Sequence, residues 1–231
     1  MPTKAAYHHG NLKAALVTAA FKELASEGLD GITLRGVARR AGVSAPAVYR
    51  HFADKEALLV ALAAECAERL GASMVAAMEA APADPLERFR ANGIALVRFA
   101  VAYPEHFRAL STPGLADKIP AEQKARERAF LDTERKNLEE AQASGVIAPF
   151  PLDELMLAAN SAMMGLAHAI IQGRLGAVDD ARATELAIAV TGVLGHGLIP
   201  RTDDVIDPRR APDCEPAPIA TPKRKLGKPK R

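Results

Sequence analysis

The chain has only two cysteines in 231 residues, Cys66 and Cys214. They form no ligand-spaced pair and no disulfide framework, which fits a reducing compartment. No run of about 18 apolar residues is found, so no membrane span is expected. Lys13, Lys22 and Glu23 interrupt the apolar residues near the N-terminus, so a signal-peptide core is not expected either. Together these absences predict a cytoplasmic protein. The signatures of catalysis are missing as well. The six histidines are scattered, no HExxH or Glu-xx-His pair occurs, and no glycine-rich phosphate loop precedes a helix. An enzyme is therefore not expected, nor a bound metal or cofactor. No segment alternates as a strand should. Residues 146–150 come nearest and are too short and too bounded by Pro149 and Pro151. There is no internal repeat.

What is present is helical. Apolar residues make up 49% of the chain and charged residues 25%, a balance that suits a soluble globular protein able to bury a sizeable core. The net charge of +2 does not by itself argue for nucleic acid, but the basic residues are unevenly placed. Residues 1–60 hold eight Lys or Arg against five Asp or Glu, and the last eleven residues hold six Lys or Arg and no acid. A first helix is predicted over residues 11–27, where Leu12, Leu16, Ala20 and Leu24 recur every four positions and Gly28 follows as a C′ residue. Further helices are predicted over about 54–80, 86–102, 105–110, 121–144, 152–175 and 179–198. From residue 200 onward the composition changes, with seven of the sixteen prolines and few large apolar residues. That segment cannot bury enough surface to offset its ordering entropy, so 200–231 is expected to be a disordered, Pro-rich basic tail. It either adds non-specific DNA affinity or merely solubilises the end.

The stretch that organises the chain is residues 33–52, TLRGVARRAGVSAPAVYRHF. Thr33 is a good N-cap, and Leu34, Val37, Ala38 and Ala41 follow at helical spacing. Gly42 supplies the freedom for a sharp turn. Ser44 is a second N-cap and Pro46 falls in the first turn of a second helix, where a missing N–H matters little. Val48 and Phe52 give that helix one apolar stripe, and its other face carries Ala45, Ala47, Tyr49, Arg50 and His51. Small residues at the start of a short helix, followed by cationic and hydrogen-bonding ones, suit the major groove of DNA.

With its flanks, residues 8–64, this segment resembles the N-terminal domain of tetracycline-repressor-like (TetR family) transcription regulators. The resemblance rests on HGNLKAALVTAAFKELASEG and GITLRGVARRAGVSAPAVYRHFADKEALLVAL, including Gly28, Thr33, Gly42, Val43, Tyr49, Phe52, Lys55 and Glu56. It implies an all-α homodimer with a three-helix DNA-binding head, residues 1–56, and a helical ligand-binding and dimerisation body, residues 57–199. It also implies a dimer interface formed by the last two long helices, about 152–175 and 179–198. Residues 160–173 look like a subgroup whose penultimate helix carries a Trp and a His-Gly pair. Here the chain has no Trp, and Ala169 follows His168.

The expected DNA contacts follow. Thr33 and Ser44 cap helices whose N-termini attract phosphate, and Tyr49, His51 and Lys55 reach phosphate as well. Arg35 and Arg50 meet phosphate or bases, while Ala45, Pro46 and Ala47 let the backbone approach the bases, Ala47 touching a thymine methyl. In the body, Phe89, Phe99, Phe107, Phe130, Met156, Met163, Met164 and His168 are candidates to line a pocket for an unknown small-molecule effector, and each also fits ordinary core. The expectation is a homodimeric repressor released from a palindromic operator. A helical adaptor protein is the rival, but it would have no reason to load one short helix with Tyr49, Arg50 and His51.

Overall fold

The structure is a computed structural model that describes residues 9–198 other than 113, 116 and 117. Helix α1, His9–Gly31, turns Leu12, Leu16, Ala20 and Leu24 inward, as their four-residue recurrence requires. Gly28 breaks the regular helix with φ 71° and ψ −179°, and a last turn to Gly31 follows, closed by the Ile32 N–H donating to Gly28 O at 3.1 Å. Thr33 caps α2, Leu34–Ala41, its hydroxyl accepting from the Gly36 N–H at 3.0 Å. Gly42 then adopts the left-handed conformation (φ 70°, ψ 29°), and the Val43 N–H donates to Ala38 O at 3.0 Å. Those bonds satisfy the carbonyls at the end of α2 and reverse the chain into α3, Ala45–Tyr49.

Helix α4, Lys55–Ala80, begins at Asp54, whose carboxylate accepts from the Ala57 N–H at 2.8 Å. Asp84 starts α5, Pro85–Ala102, in the same way, through the Glu87 N–H at 2.9 Å. There follow α6, Pro104–Leu110, α7, Ala121–Ala143, α8, Leu152–Ile171, and α9, Asp180–Leu198. Asp179 caps the last of these, accepting from the Arg182 N–H at 2.8 Å. Among the described residues there is no strand, and the all-α reading holds. The penultimate helix is shorter than its sequence suggests. It stops at Ile171 because Gly173 and Gly176 take φ of 71° and 76°. The tail expected at 200–231 lies outside the described residues.

The buried side chains fall into two main groups. In the head, Leu16, Leu24, Ile32, Val37, Val48, Leu58 and Leu62 are fully enclosed, each contributing roughly 1.5–3 kcal/mol of hydrophobic stabilisation. In the body, Cys66, Leu96, Val97, Phe99, Phe107, Met163 and Ala167 form the second core. Helix α4 runs unbroken through both, giving Leu58 and Leu62 to the head and Cys66 and Leu70 to the body. Helix α6 does the same crosswise: Ala109 packs in the head core and Phe107 in the body core. His106 of α6 stacks on Phe21 of α1 with ring centroids 3.5 Å apart and planes 10° apart.

Helix α8 is the most apolar of the long helices. By length and composition it is apolar enough to cross a membrane, which counting uninterrupted apolar runs does not detect. It is also the core helix that brings Met163, Ala167 and Ile170 into the body. Little of its surface is covered within one subunit, and Leu157 is 66% exposed.

Candidate nucleic-acid interface and interior cavity

The five-residue helix α3 separates its faces sharply. Val48 is fully buried, and Phe52, just past the helix, is 2% exposed and held by its N–H donating to Val48 O at 3.0 Å. Pro46, Tyr49 and Arg50 are exposed on the other side. His51 is half-buried, tilted against the Phe52 ring at 6.5 Å. Ala45 is also half-buried. Ala47 departs from expectation: its methyl is buried against the head and does not face outward to meet a base.

Ser44 departs as well. It occupies the N-cap position, but its hydroxyl makes no cap bond. The reason is local. Pro46 has no N–H to offer, and the Ala47 N–H donates to the Ser44 carbonyl at 2.9 Å instead. The hydroxyl is thus left to solvent. Thr33 does cap, and Arg35 stands exposed two residues on. Lys55 donates through Nζ to Asp30 O at 2.8 Å, which clamps the start of α4 to the end of α1 and leaves two of its protons for another partner.

Behind this face lies a charge network that sequence reading passed over. Glu23 of α1 is 2% exposed and accepts from Arg40 Nε at 2.7 Å, with Arg39 Nη2 at 3.6 Å. Gly36 permits it: a Cβ there would collide with the Glu23 carboxylate. Arg39 and Arg40 thereby gain structural partners, Arg40 also bonding Ser26 Oγ at 2.7 Å.

The body carries a half-open cavity of about 450 Å³ between α4, α5, α7, α8 and α9. Four of the expected lining residues are on its wall: Phe89, Phe130, Met156 and Met163. Four are not. Phe99 and Phe107 are in the body core with Met164 packed against it, and His168 lies against Phe107. His168 faces the edge of Phe107 at 5.2 Å, and its Nδ1 lies 2.8 Å from Met164 O. The wall includes polar residues that sequence reading missed, Asn92, Glu134 and Thr191 among them. Asn92 Nδ2 donates to Glu134 Oε2 at 3.3 Å, and Arg90 Nε donates to Thr191 Oγ1 at 3.2 Å. Burial pushes the Glu134 carboxyl above the usual range, against the smaller lowering from its hydrogen bonds with Asn92 and Asn137. A signal for Glu134 existed in the spacing: it shares a helix face with Leu138 and Ala141, the other buried residues of α7. Among the described residues no cluster of three His, Cys, Asp or Glu could hold a metal.

A family model for bacterial regulatory proteins of the tetR family matches residues 16–62, and one for the tetracyclin repressor-like C-terminal domain matches residues 89–191. The chain belongs to the TetR family. A TetR-family protein is a DNA-binding transcription regulator, and α2, the Gly42 turn and α3 form its helix-turn-helix. Similar proteins include the HTH-type transcriptional regulator BetI of Rhizobium meliloti (strain 1021), 40% identical over 77 residues, 33% of this chain and 37% of that protein. The tetracycline repressor protein class A from transposon 1721 of Escherichia coli is 50% identical over 48 residues, 21% of this chain and 22% of that protein. The chain thus aligns with well under half the length of either. A solved structure of a protein of unknown function from Rhodococcus sp. RHA1 is similar throughout, with TM-score 0.70, 32% identity, and coverage of 85% of this chain and 100% of that one.

Proposed function

We propose that this TetR-family regulator is a homodimeric repressor that leaves a palindromic operator when a small molecule occupies the body cavity. The observation that carries the DNA reading is the division of α3, with Val48 and Phe52 inward and Pro46, Tyr49 and Arg50 outward. Each head, residues 1–56, lays residues 45–51 in the major groove of one half-site. Thr33, Arg35, Ser44, Tyr49, His51 and Lys55 hold phosphates and set the register, and Arg50 reads bases. Ala45 and Pro46 allow close approach, while the inward turn of Ala47 removes it from the base-reading set. The site of action is the cytoplasm, where the operator is.

Dimerisation is supported by the uncovered apolar face of the body, residues 57–199. Leu157 of α8 and Val193 of α9 are 66% and 76% exposed, and Ile188 is exposed beside them in sequence. Exposed Ala158, Ser161 and Gly165 on α8 are small enough for close helix approach. A ligand in the cavity then favours the arrangement whose heads are mis-spaced for the operator, by no more than its differential affinity for that arrangement.

The test is a fluorescence-anisotropy titration onto the protein's own promoter region at two salt concentrations, with scrambled DNA alongside. Specific binding that weakens steeply with salt is expected, and equal binding to scrambled DNA overturns the reading. Arg50→Ala is expected to cost about 1–3 kcal/mol and to relax sequence preference, whereas Lys55→Ala should weaken all sequences alike and lower the salt slope by about 1. Leu157→Glu should give a monomer by light scattering.

A further inference from the structure

The cavity is apolar over most of its wall, through residues such as Leu86, Phe89, Leu96, Phe130, Leu155 and Met156. Its polar groups are few. Three ionisable side chains line it: Glu87, Arg90 and Glu134. The cation among them, Arg90, donates to Thr191 Oγ1 at 3.2 Å and lies 3.5 Å from Glu87, away from Glu134 in the contacts it makes. Glu134 is 2% exposed and is contacted by two asparagines, with no cation among the groups that set its titration. Asn92 is 9% exposed, and its Oδ1 is buried without a protein donor. The amide is oriented by its neighbour: turned over, it would set a carbonyl oxygen against the Glu134 carboxylate. At this point the inner wall holds a carboxyl with no cation beside it and an amide oxygen with no protein donor. A buried amide oxygen without a donor is costly, as is a buried carboxylate without a counter-charge, and a guest that supplies both recovers the cost.

We propose that the ligand of this cavity is a lipophilic amine, whose ammonium donates to Glu134 and to Oδ1 of Asn92 while its hydrocarbon part fills the Phe89 and Phe130 side. The inference rests on the effector reading above and deepens it. An amine brings the donor that Asn92 Oδ1 lacks and the charge that answers Glu134, in the short charge-assisted hydrogen bonds that are the strong ones. A carboxylate guest would instead bring a further anion beside Glu134 and Glu87. The cavity volume of about 450 Å³ lies within the range of sites for drug-sized molecules, so the guest has room for a ring and a short chain.

The test uses the full-length protein and three probes of one skeleton: 4-phenylbutylamine, 4-phenylbutanol and 4-phenylbutanoate. Binding is measured by calorimetry without DNA, on the wild type, on Glu134→Gln and on Glu134→Met, the last in case the amide variant folds poorly. The amine should bind at least about tenfold more tightly than the alcohol, and the carboxylate more weakly than both. Either Glu134 variant should abolish the preference for the amine while leaving alcohol affinity nearly unchanged. Equal or tighter binding of the carboxylate overturns the inference, as does an amine preference that survives loss of Glu134, or failure of all three probes to bind. Release of promoter DNA is followed separately. Amine binding without release overturns the effector reading and leaves the ligand class standing. DNA binding by a protein that shows no amine preference does the reverse.

Discussion

Glu23 in the head and Glu134 in the body are each 2% exposed, yet only Glu23 is given cations, Arg40 at 2.7 Å and Arg39 at 3.6 Å. The head spends its buried charge on shape. Glu23 ties α1 to the end of α2 and sits over Gly36, fixing the helix-turn-helix against its support. The body leaves its buried carboxyl with two asparagines on the wall of the cavity. One residue type at one depth thus serves rigidity in the first case and reception in the second. The deciding factor is whether the fold supplies the counter-charge itself or leaves it to a guest.

The sharpest way to break this comparison is to remove the partner in one place and the carboxylate in the other. Arg40→Met leaves Glu23 buried with only the more distant Arg39, and should cost about 2 kcal/mol, discounted because Arg40 is 35% exposed. That loss corresponds to roughly 4–8 °C in melting temperature for a chain of this size. Glu134→Met, by contrast, removes an unanswered charge and should leave stability unchanged or raise it by about 1 kcal/mol. If both substitutions destabilise equally in calorimetry, the two glutamates are not different in kind.

The second contrast uses the two tight glycines. Alanine at Gly36 drives into a carboxylate that Arg40 holds fixed, and should cost about 1–3 kcal/mol. Alanine at Gly93 meets Met163 Cγ at 2.9 Å and Sδ at 3.0 Å, the flexible end of a side chain bordering the cavity. Its helix propensity, better than glycine by about 1 kcal/mol, offsets that crowding. Gly93→Ala should therefore melt near the wild type but bind probes more weakly, as the cavity narrows.

The smallest effect expected is in pH. The folded-state value of Glu134 is raised by burial, so the native chain holds this proton more tightly than the unfolded one. Its relative stabilisation is present below the ordinary glutamate range and is lost as pH rises through the raised value. His106 runs the other way: burial first, and then the Arg69 charge, lower it. Its contribution is present above the ordinary histidine range and is lost as pH falls towards its lowered folded value. Denaturant titrations across that range should show Glu134→Gln gaining on the wild type as pH increases, and Phe21–His106 packing weakening at the acid end.

The sequence predicted the parts whose determinants are local. Thr33, Asp54 and Gly42 act within four residues of themselves, so each cap and turn was legible from its neighbours. Gly173 ended α8 earlier than its apolar run implied, because the run continues through Leu175 while the backbone does not. The cavity was half legible. Phe89 and Phe130 line it, but Phe99 and Phe107 are as apolar and fill core instead, since only the packing of α5 against α6 and α8 distinguishes them. Glu134 was hidden on a helix with so many charged residues that one buried carboxylate did not stand out. Ser44 failed as a side-chain cap for a reason that was visible in the sequence: the proline two residues later removes one of the donors a cap would use.

Cys66 gives the seam between head and body a clock. It is fully buried on α4, with a backbone contact to Leu110 at the end of α6, and burial pushes its thiol up to about 12. An alkylating reagent can reach it only when α6 and α4 part. With Cys214 replaced by serine, the labelling rate would count those partings one by one, and its change on adding DNA or a cavity guest would measure how firmly each holds the seam closed.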